Sequence, residues 1–262
     1  LKHQFGGGVP HHPAAIRRFA SFIYNNSNNK PTGLFLLGKG YIPTLVRTNP
    51  TIQATNLIPT FGNPSSDNAL TSNLDGTLFE PLIPTGRIAA KNNQELADYL
   101  AKVIQYEQNQ HPSNSNFSAT KDEHKQILHF VGGSNASQQT SFQGYMNGMK
   151  SIIEDSVFAG NVTSYIKTSS NPLDPNVVAG VTSKIQDGVS IMNFFGHAAA
   201  SNNGFEINID EASNWENQGK YPFVIGNSCY NGELFKTTPS TSERTVLIPN
   251  EGAIGFLSSV FI

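Results

Sequence analysis

The sequence predicts an α/β fold with a mostly parallel central sheet flanked by helices. Two observations carry that prediction. Stretches with helical spacing alternate with short apolar runs along the 262 residues, the order that βαβ units produce. Two of the runs, over 189–197 and 221–229, are rich in β-branched and aromatic residues and carry Gly and Asn near their ends. Short apolar runs of that kind read as buried strands.

The elements follow in order. Ile16, Phe19, Ala20 and Ile23 share one helical face. Leu34-Phe35-Leu36-Leu37-Gly38 then reads as a buried strand. Residues 39–80 are rich in Pro, Asn and Thr and read as a long loop with short extended pieces. Leu96, Tyr99, Leu100, Val103 and Ile104 form a helical stripe. The polar stretch 109–120, with Pro112, reads as a connection, dividing the chain into α/β subdomains over 1–120 and 121–262. The second half opens with a strand at 127–131. A helix follows with Phe142, Tyr145, Met146, Met149, Ile152 and Ile153 on one face. A strand at 162–166 comes next, then a helix from Asp174-Pro175 to about Gln186, since Pro favours a first helical position. The runs ending at His197 and Cys229 and a last strand at 253–257 complete the sheet. No internal repeat is visible.

Composition narrows the function classes. The net charge of −2 favours neither nucleic acid nor an anionic membrane as partner. Charged residues make up 14% of the chain, below the usual quarter, and Asn, Ser, Thr and Gly take their place. That surface suits a secreted or cell-surface protein. With one Cys, no disulfide can form within the chain. No apolar stretch is long enough to span a bilayer, and residue 1 opens no signal peptide. The start at Leu1 and the apolar end over 255–262 suggest a fragment of a longer protein.

The lone cysteine is the most informative residue. If the strands ending at His197 and Cys229 lie side by side and parallel, the two residues meet at the sheet edge where open α/β sheets place their sites. A thiol beside an imidazole is an activated nucleophile, which points to a cysteine peptidase or transferase. The plainer alternative is a small buried hydrophobe at Cys229 and a structural histidine at His197. Other candidates have structural readings. His11-His12, after Gly6-Gly7-Gly8, lacks a spaced metal partner and reads as loop. Gly38-Lys39-Gly40 does not have P-loop spacing. Asp67 is expected to stabilise a turn. Glu206, Asp210 and Glu211 read as a helix start rather than a Ca²⁺ site, and Trp215 as a packing residue. No metal and no cofactor are expected.

Several segments carry a family resemblance. They are Ala15-Ile16-Arg17-Arg18-Phe19 with the run 34–40, then Pro84-Thr85-Gly86-Arg87-Ile88, and the helix ending Val103-Ile104-Gln105-Tyr106-Glu107. Asn193-Phe194-Phe195-Gly196-His197 and the run Asn227-Ser228-Cys229-Tyr230-Asn231-Gly232-Glu233-Leu234-Phe235 follow in the same order and spacing. Together they resemble the gingipain-like cysteine peptidases, which have a caspase-like α/β fold. Gly219-Lys220-Tyr221-Pro222-Phe223 is most similar to the sortase-like members of the bacterial type IX secretion system. Those members remove C-terminal sorting domains from cargo and attach the cargo to a surface lipopolysaccharide.

The resemblance implies that Cys229 is the nucleophile and His197 the general acid–base. It places the backbone N–H groups of Cys229 and Ala198 in the oxyanion hole. Glu206, Tyr230 and Asn231 are the expected substrate-binding residues. Implied partners are proteins with C-terminal sorting domains and other secretion-system components, at a bacterial surface or outside the cell. Three features depart from the family pattern. Ala198 stands where Gly usually follows the catalytic His. The run 132–139 lacks the carboxylate that often orients the His. No acid lies between Val131 and Gly148 to pair with an Arg or Lys substrate, so trypsin-like specificity is not expected. These departures keep open a second reading, a catalytically weak homologue acting as a binding component of a surface secretion complex.

Overall fold

A computed structural model describes residues 2–74, 76, 80–111, 122–167, 175–198 and 212–260. They fall into two compact units: Leu1–Leu96 with Leu234–Thr237, and Ala97–Glu233 with Thr238–Ile262.

In the first unit, helix α1 (Pro13–Asn26) opens on a proline, and the His12 ring Nδ1 accepts the Ala14 N–H at 3.1 Å as its N-cap. Strands β1 (Leu34–Leu37) and β2 (Thr85–Ile88) pair in parallel, with Leu34 opposite Thr85. The expected long loop over 39–80 contains helices α2 (Pro43–Thr48) and α3 (Pro50–Thr55) and a 3₁₀ turn at Asp67–Leu70. Pro43 and Pro50 look like breakers in sequence but occupy first helical positions, and six residues are too few to show an apolar stripe. Strand β2 is hidden for a related reason: of Thr85, Gly86, Arg87 and Ile88, only the last is an ordinary core residue.

Arg87 is instead a buried anchor. Its Nε and Nη2 donate to the two Asp67 carboxylate oxygens at 2.6 and 2.8 Å. Its Nη1 donates to the carbonyls of Gly38 and Ile58 at 2.6 and 2.9 Å. Asp67 thus does more than stabilise a turn. It is the partner of a guanidinium whose side chain is 1% exposed.

The second unit holds most of helix α4 (Asn93–Gln110) and strand β3 (Gln126–Val131), then helix α5 (Ala136–Ile153) and strand β4 (Asn161–Ile166). Helix α6 (Pro175–Asp187) and strands β5 (Ile191–Phe195) and β6 (Phe223–Asn227) come next. Helix α7 (Thr241–Leu247) and strand β7 (Gly255–Ser258) close the unit. The five strands lie in the order β4-β3-β5-β6-β7, every pair parallel. This is the predicted α/β architecture with helices on both faces.

Strand alternation sorts the two faces. Leu128, Phe130, Met192, Phe194 and Val224 form one core with Val181 and Ile185 of α6, Trp215 and Ala253. Phe130 stacks on Phe194 at 4.3 Å and on Tyr165 at 5.5 Å. On the opposite face Phe142 of α5 packs edge-on against Phe195 at 4.7 Å, and Lys150 donates to the Val162 carbonyl at 3.0 Å.

Helix α7 was not expected. Its signal is the capping box formed by Ser240 and Glu243, both buried. The α4 stripe also needs correction. Leu100 is 54% exposed, whereas Lys102 is 1% exposed. The Lys102 ammonium donates to the carbonyls of Val246, Ile248 and Ala253 at 3.0, 3.3 and 3.0 Å. It thereby satisfies acceptors at the end of α7, where a cation also complements the helix dipole. Among the described residues no helix is long and apolar enough to cross a membrane.

Candidate active site

Strands β5 and β6 are neighbours, and their last register pair is Phe195 with Asn227. The Gly196 N–H carries the ladder one step further, donating to the Asn227 carbonyl at 3.3 Å. His197 and Cys229 each follow that pair by two residues. They therefore stand on adjacent strand ends at the carboxyl edge of the sheet, where parallel strands run about 4.8 Å apart. The strand order reverses at β3, which lies between β4 and β5. Connections leave β3 and β5 in opposite directions, which opens the crevice that α/β sheets use for ligands.

Helix α5 sets the imidazole. Gln138, Phe142 and Tyr145 recur at helical spacing on one face, and Phe142 and Tyr145 pack on Phe195 at 4.7 and 5.7 Å. Phe142 also meets the His197 ring edge-on at 6.1 Å. His197 is exposed, and its Nε2 lies 3.0 Å from Gln138 Oε1. The same Oε1 accepts the Ser134 N–H at 3.0 Å, while the Gln138 N–H donates to the N-cap Asn135 Oδ1 at 3.0 Å. In the sequence this stretch stands out for lacking a carboxylate. The less visible signal is the spacing from Asn135 to Gln138, which resembles a capping box and holds the glutamine side chain at the helix entry.

Cys229 is a half-buried free thiol. Tyr230 follows it at φ 58°, in the left-handed region that a bulky residue enters only under constraint. The turn closes through the Glu233 N–H on the Tyr230 carbonyl at 3.0 Å. Asn231 is fully buried, and its Nδ2 donates to Ser228 Oγ at 2.8 Å. Its amide braces the loop from inside. The Gly232 N–H donates to the Ser259 carbonyl at 2.8 Å, and a Cβ there would lie 2.7 Å from the Ser258 carbonyl oxygen. The Cys229 loop is thus seated on the end of β7. Beneath the pair, Asn227 Nδ2 donates to Asn193 Oδ1 at 3.4 Å, linking β6 to β5.

Ala198 is half-buried and packs against the core. It is not among the described non-glycine residues with positive φ, so alanine sits there without left-handed strain. Glu206, Asp210 and Glu211 lie outside the described residues. Trp215 is buried in the core. Among the described residues no group of three or more His, Cys, Asp or Glu is placed to hold a metal ion. A thiol and an imidazole on adjacent strand ends suit acyl transfer.

The whole chain, residues 1–262, matches the model of peptidase family C25. The chain belongs to that family. C25 members are cysteine peptidases. Among solved structures, the chain is similar to the Arg-specific cysteine proteinase gingipain R (RgpB), with a TM-score of 0.68 and 16% identity over 94% of this chain and 52% of that one. It is also similar to the complex of Porphyromonas gingivalis RgpB pro- and mature domains, with a TM-score of 0.68 and 16% identity over 100% of this chain and 56% of that one. A third structure, of a protease, has a TM-score of 0.67 and 21% identity over 93% of this chain and 49% of that one. The chain spans about half the length of each. The likeness gives this C25 chain the caspase-like α/β fold. No curated protein matches it by sequence.

Proposed function

We propose that this C25 chain is a cysteine peptidase or transpeptidase with a His197–Cys229 dyad. The observation that carries this reading is the register of β5 and β6, which sets the two residues on adjacent strand ends. In the reaction the Cys229 thiolate attacks the scissile carbonyl carbon and a tetrahedral oxyanion forms. The backbone N–H groups of Cys229 and Ala198 are its proposed donors, each worth about 3–4 kcal/mol. The C–N bond breaks as His197 gives its proton to the leaving amine, and a thioester remains. Water or an amine then attacks the thioester, His197 takes its proton, and the Cys229 thiol is restored. Hydrolysis and transpeptidation share the acyl-enzyme and differ only in the acceptor.

The proposed substrates are secreted proteins carrying C-terminal sorting signals, handled at a bacterial surface with other secretion components. The sequence resemblance of 219–223 and the weakly charged, Asn- and Ser-rich composition support this reading. Tyr230 and Glu206 remain the proposed substrate contacts.

The test is alkylation of Cys229 by iodoacetamide at pH 6, followed by mass spectrometry. Wild type should react faster than free cysteine, and His197→Ala should lose that advantage. A cargo C-terminus with an amine acceptor then separates hydrolysis from transfer. Equal alkylation rates in the two proteins would favour a binding component instead.

A further inference from the structure

We propose that Gln138 is the positioning residue of the dyad, fixing His197 in the tautomer that carries its proton on Nε2 and leaves Nδ1 as the base. The proposal rests on the dyad reading above. Its observation is the 3.0 Å contact between Gln138 Oε1 and His197 Nε2. On its own that contact does not say which atom donates. The Ser134 N–H decides the matter, because it donates to the same Oε1 at 3.0 Å. Turning the amide over would set its NH₂ group against a backbone N–H, two donors facing each other. The oxygen must therefore face both neighbours. It can only accept, so His197 Nε2 carries the hydrogen. In a neutral imidazole the other nitrogen, Nδ1, is then unprotonated and able to take a proton from a thiol.

The placement is built rather than incidental. Gln138 sits in the first turn of α5, where the Asn135 cap holds its backbone N–H. Four residues on, Phe142 packs against both Phe195 and His197. One helix face thus fixes the ring plane and its tautomer together. The contact spans the crevice where the strand order reverses, joining the connection after β3 to the end of β5.

The choice of an amide has a chemical consequence. A carboxylate at this position would favour the imidazolium by charge. Gln138 orients the ring without adding that charge.

Nitrogen NMR of the His197 ring tests the assignment directly. Wild type should show a protonated Nε2. Gln138→Leu should lower that tautomer's share towards that of an unconstrained histidine. Gln138→Glu, which keeps the acceptor and guards against a folding defect in the leucine variant, should retain it and raise the imidazole titration midpoint by about one unit or more. Iodoacetamide alkylation of Cys229 should slow by at least about tenfold in Gln138→Leu and recover in Gln138→Glu. A dominant Nδ1–H tautomer in wild type, or a titration that Gln138→Glu does not move, would overturn the assignment. The dyad is tested separately by His197→Ala. If that change leaves alkylation unaltered, the dyad falls whatever the NMR shows, and the two failures are told apart.

Discussion

Phe195 and Asn227 face each other across β5 and β6 as the last register pair of two parallel strands, and the Asn227 side chain bonds to Asn193 at 3.4 Å. This pair is the last register step before His197 and Cys229. A slip of either strand by one residue would turn that strand's side chains to the other face. The cysteine loop must also be held where β6 ends, and the seat is Gly232.

Gly232→Ala should unseat that loop. The added Cβ would meet the Ser258 and Ser259 carbonyl oxygens at 2.7 and 2.9 Å, and both are backbone atoms. Overpacking of this kind costs about 1–3 kcal/mol. Thermal unfolding should shift down, and Cys229 alkylation should change from its wild-type rate. Wild-type melting together with a wild-type rate would mean that the loop is not seated on β7.

Asp67→Asn should be strongly destabilising. It leaves the buried Arg87 guanidinium without a carboxylate and with an NH₂ group where one acceptor oxygen stood. Breaking a buried ion pair from one side costs about 3–5 kcal/mol. Urea unfolding of the variant should show that loss. A change within error would mean that solvent already reaches the pair.

His129 lies in the middle of β3, fully buried, with no hydrogen-bond partner at either ring nitrogen. Burial pulls its pKa down to about 4, Lys150 adds to the effect, and Glu154 opposes it. Between pH 6.5 and 4 the unfolded chain binds this proton and the folded chain does not. Stability should therefore fall as pH drops through that window. In His129→Leu the fall should be shallower. Equal slopes in urea unfolding from pH 7 to pH 4.5 would show that another group carries the acid sensitivity.

Lys102 predicts the opposite end of the pH scale. Burial pulls it down to about 7, against the attraction of Glu251. From pH 7 to 10.5 the unfolded chain holds more protons at this site, so stability should rise with pH there. Lys102→Met should remove that rise. It also removes the donor to three carbonyls, so at pH 7 the variant should be less stable, by about 1–3 kcal/mol for each acceptor left unsatisfied. An unchanged pH slope in the variant would place the rise elsewhere.

What the sequence determined by itself were the elements whose residues meet one simple demand. The runs at 127–131, 189–197 and 221–229 are apolar because buried strands must be, and their order already implies a parallel sheet. The sequence also singled out His197 and Cys229, since each closes such a run. Tertiary structure decided the rest, where partners distant in the chain set a residue's role. Strand β2 and helix α7 bury Arg87 and Glu243, polar residues whose partners or caps stand in for apolar side chains. Lys102 is buried, and Leu100 on the same helix exposed, because three carbonyls 144 to 151 residues away need a donor. Gln138 gained its role in the same way. Its place in the first turn of a helix follows from local pattern. Its contact with a histidine 59 residues on follows from the order in which β3 and β5 were laid side by side.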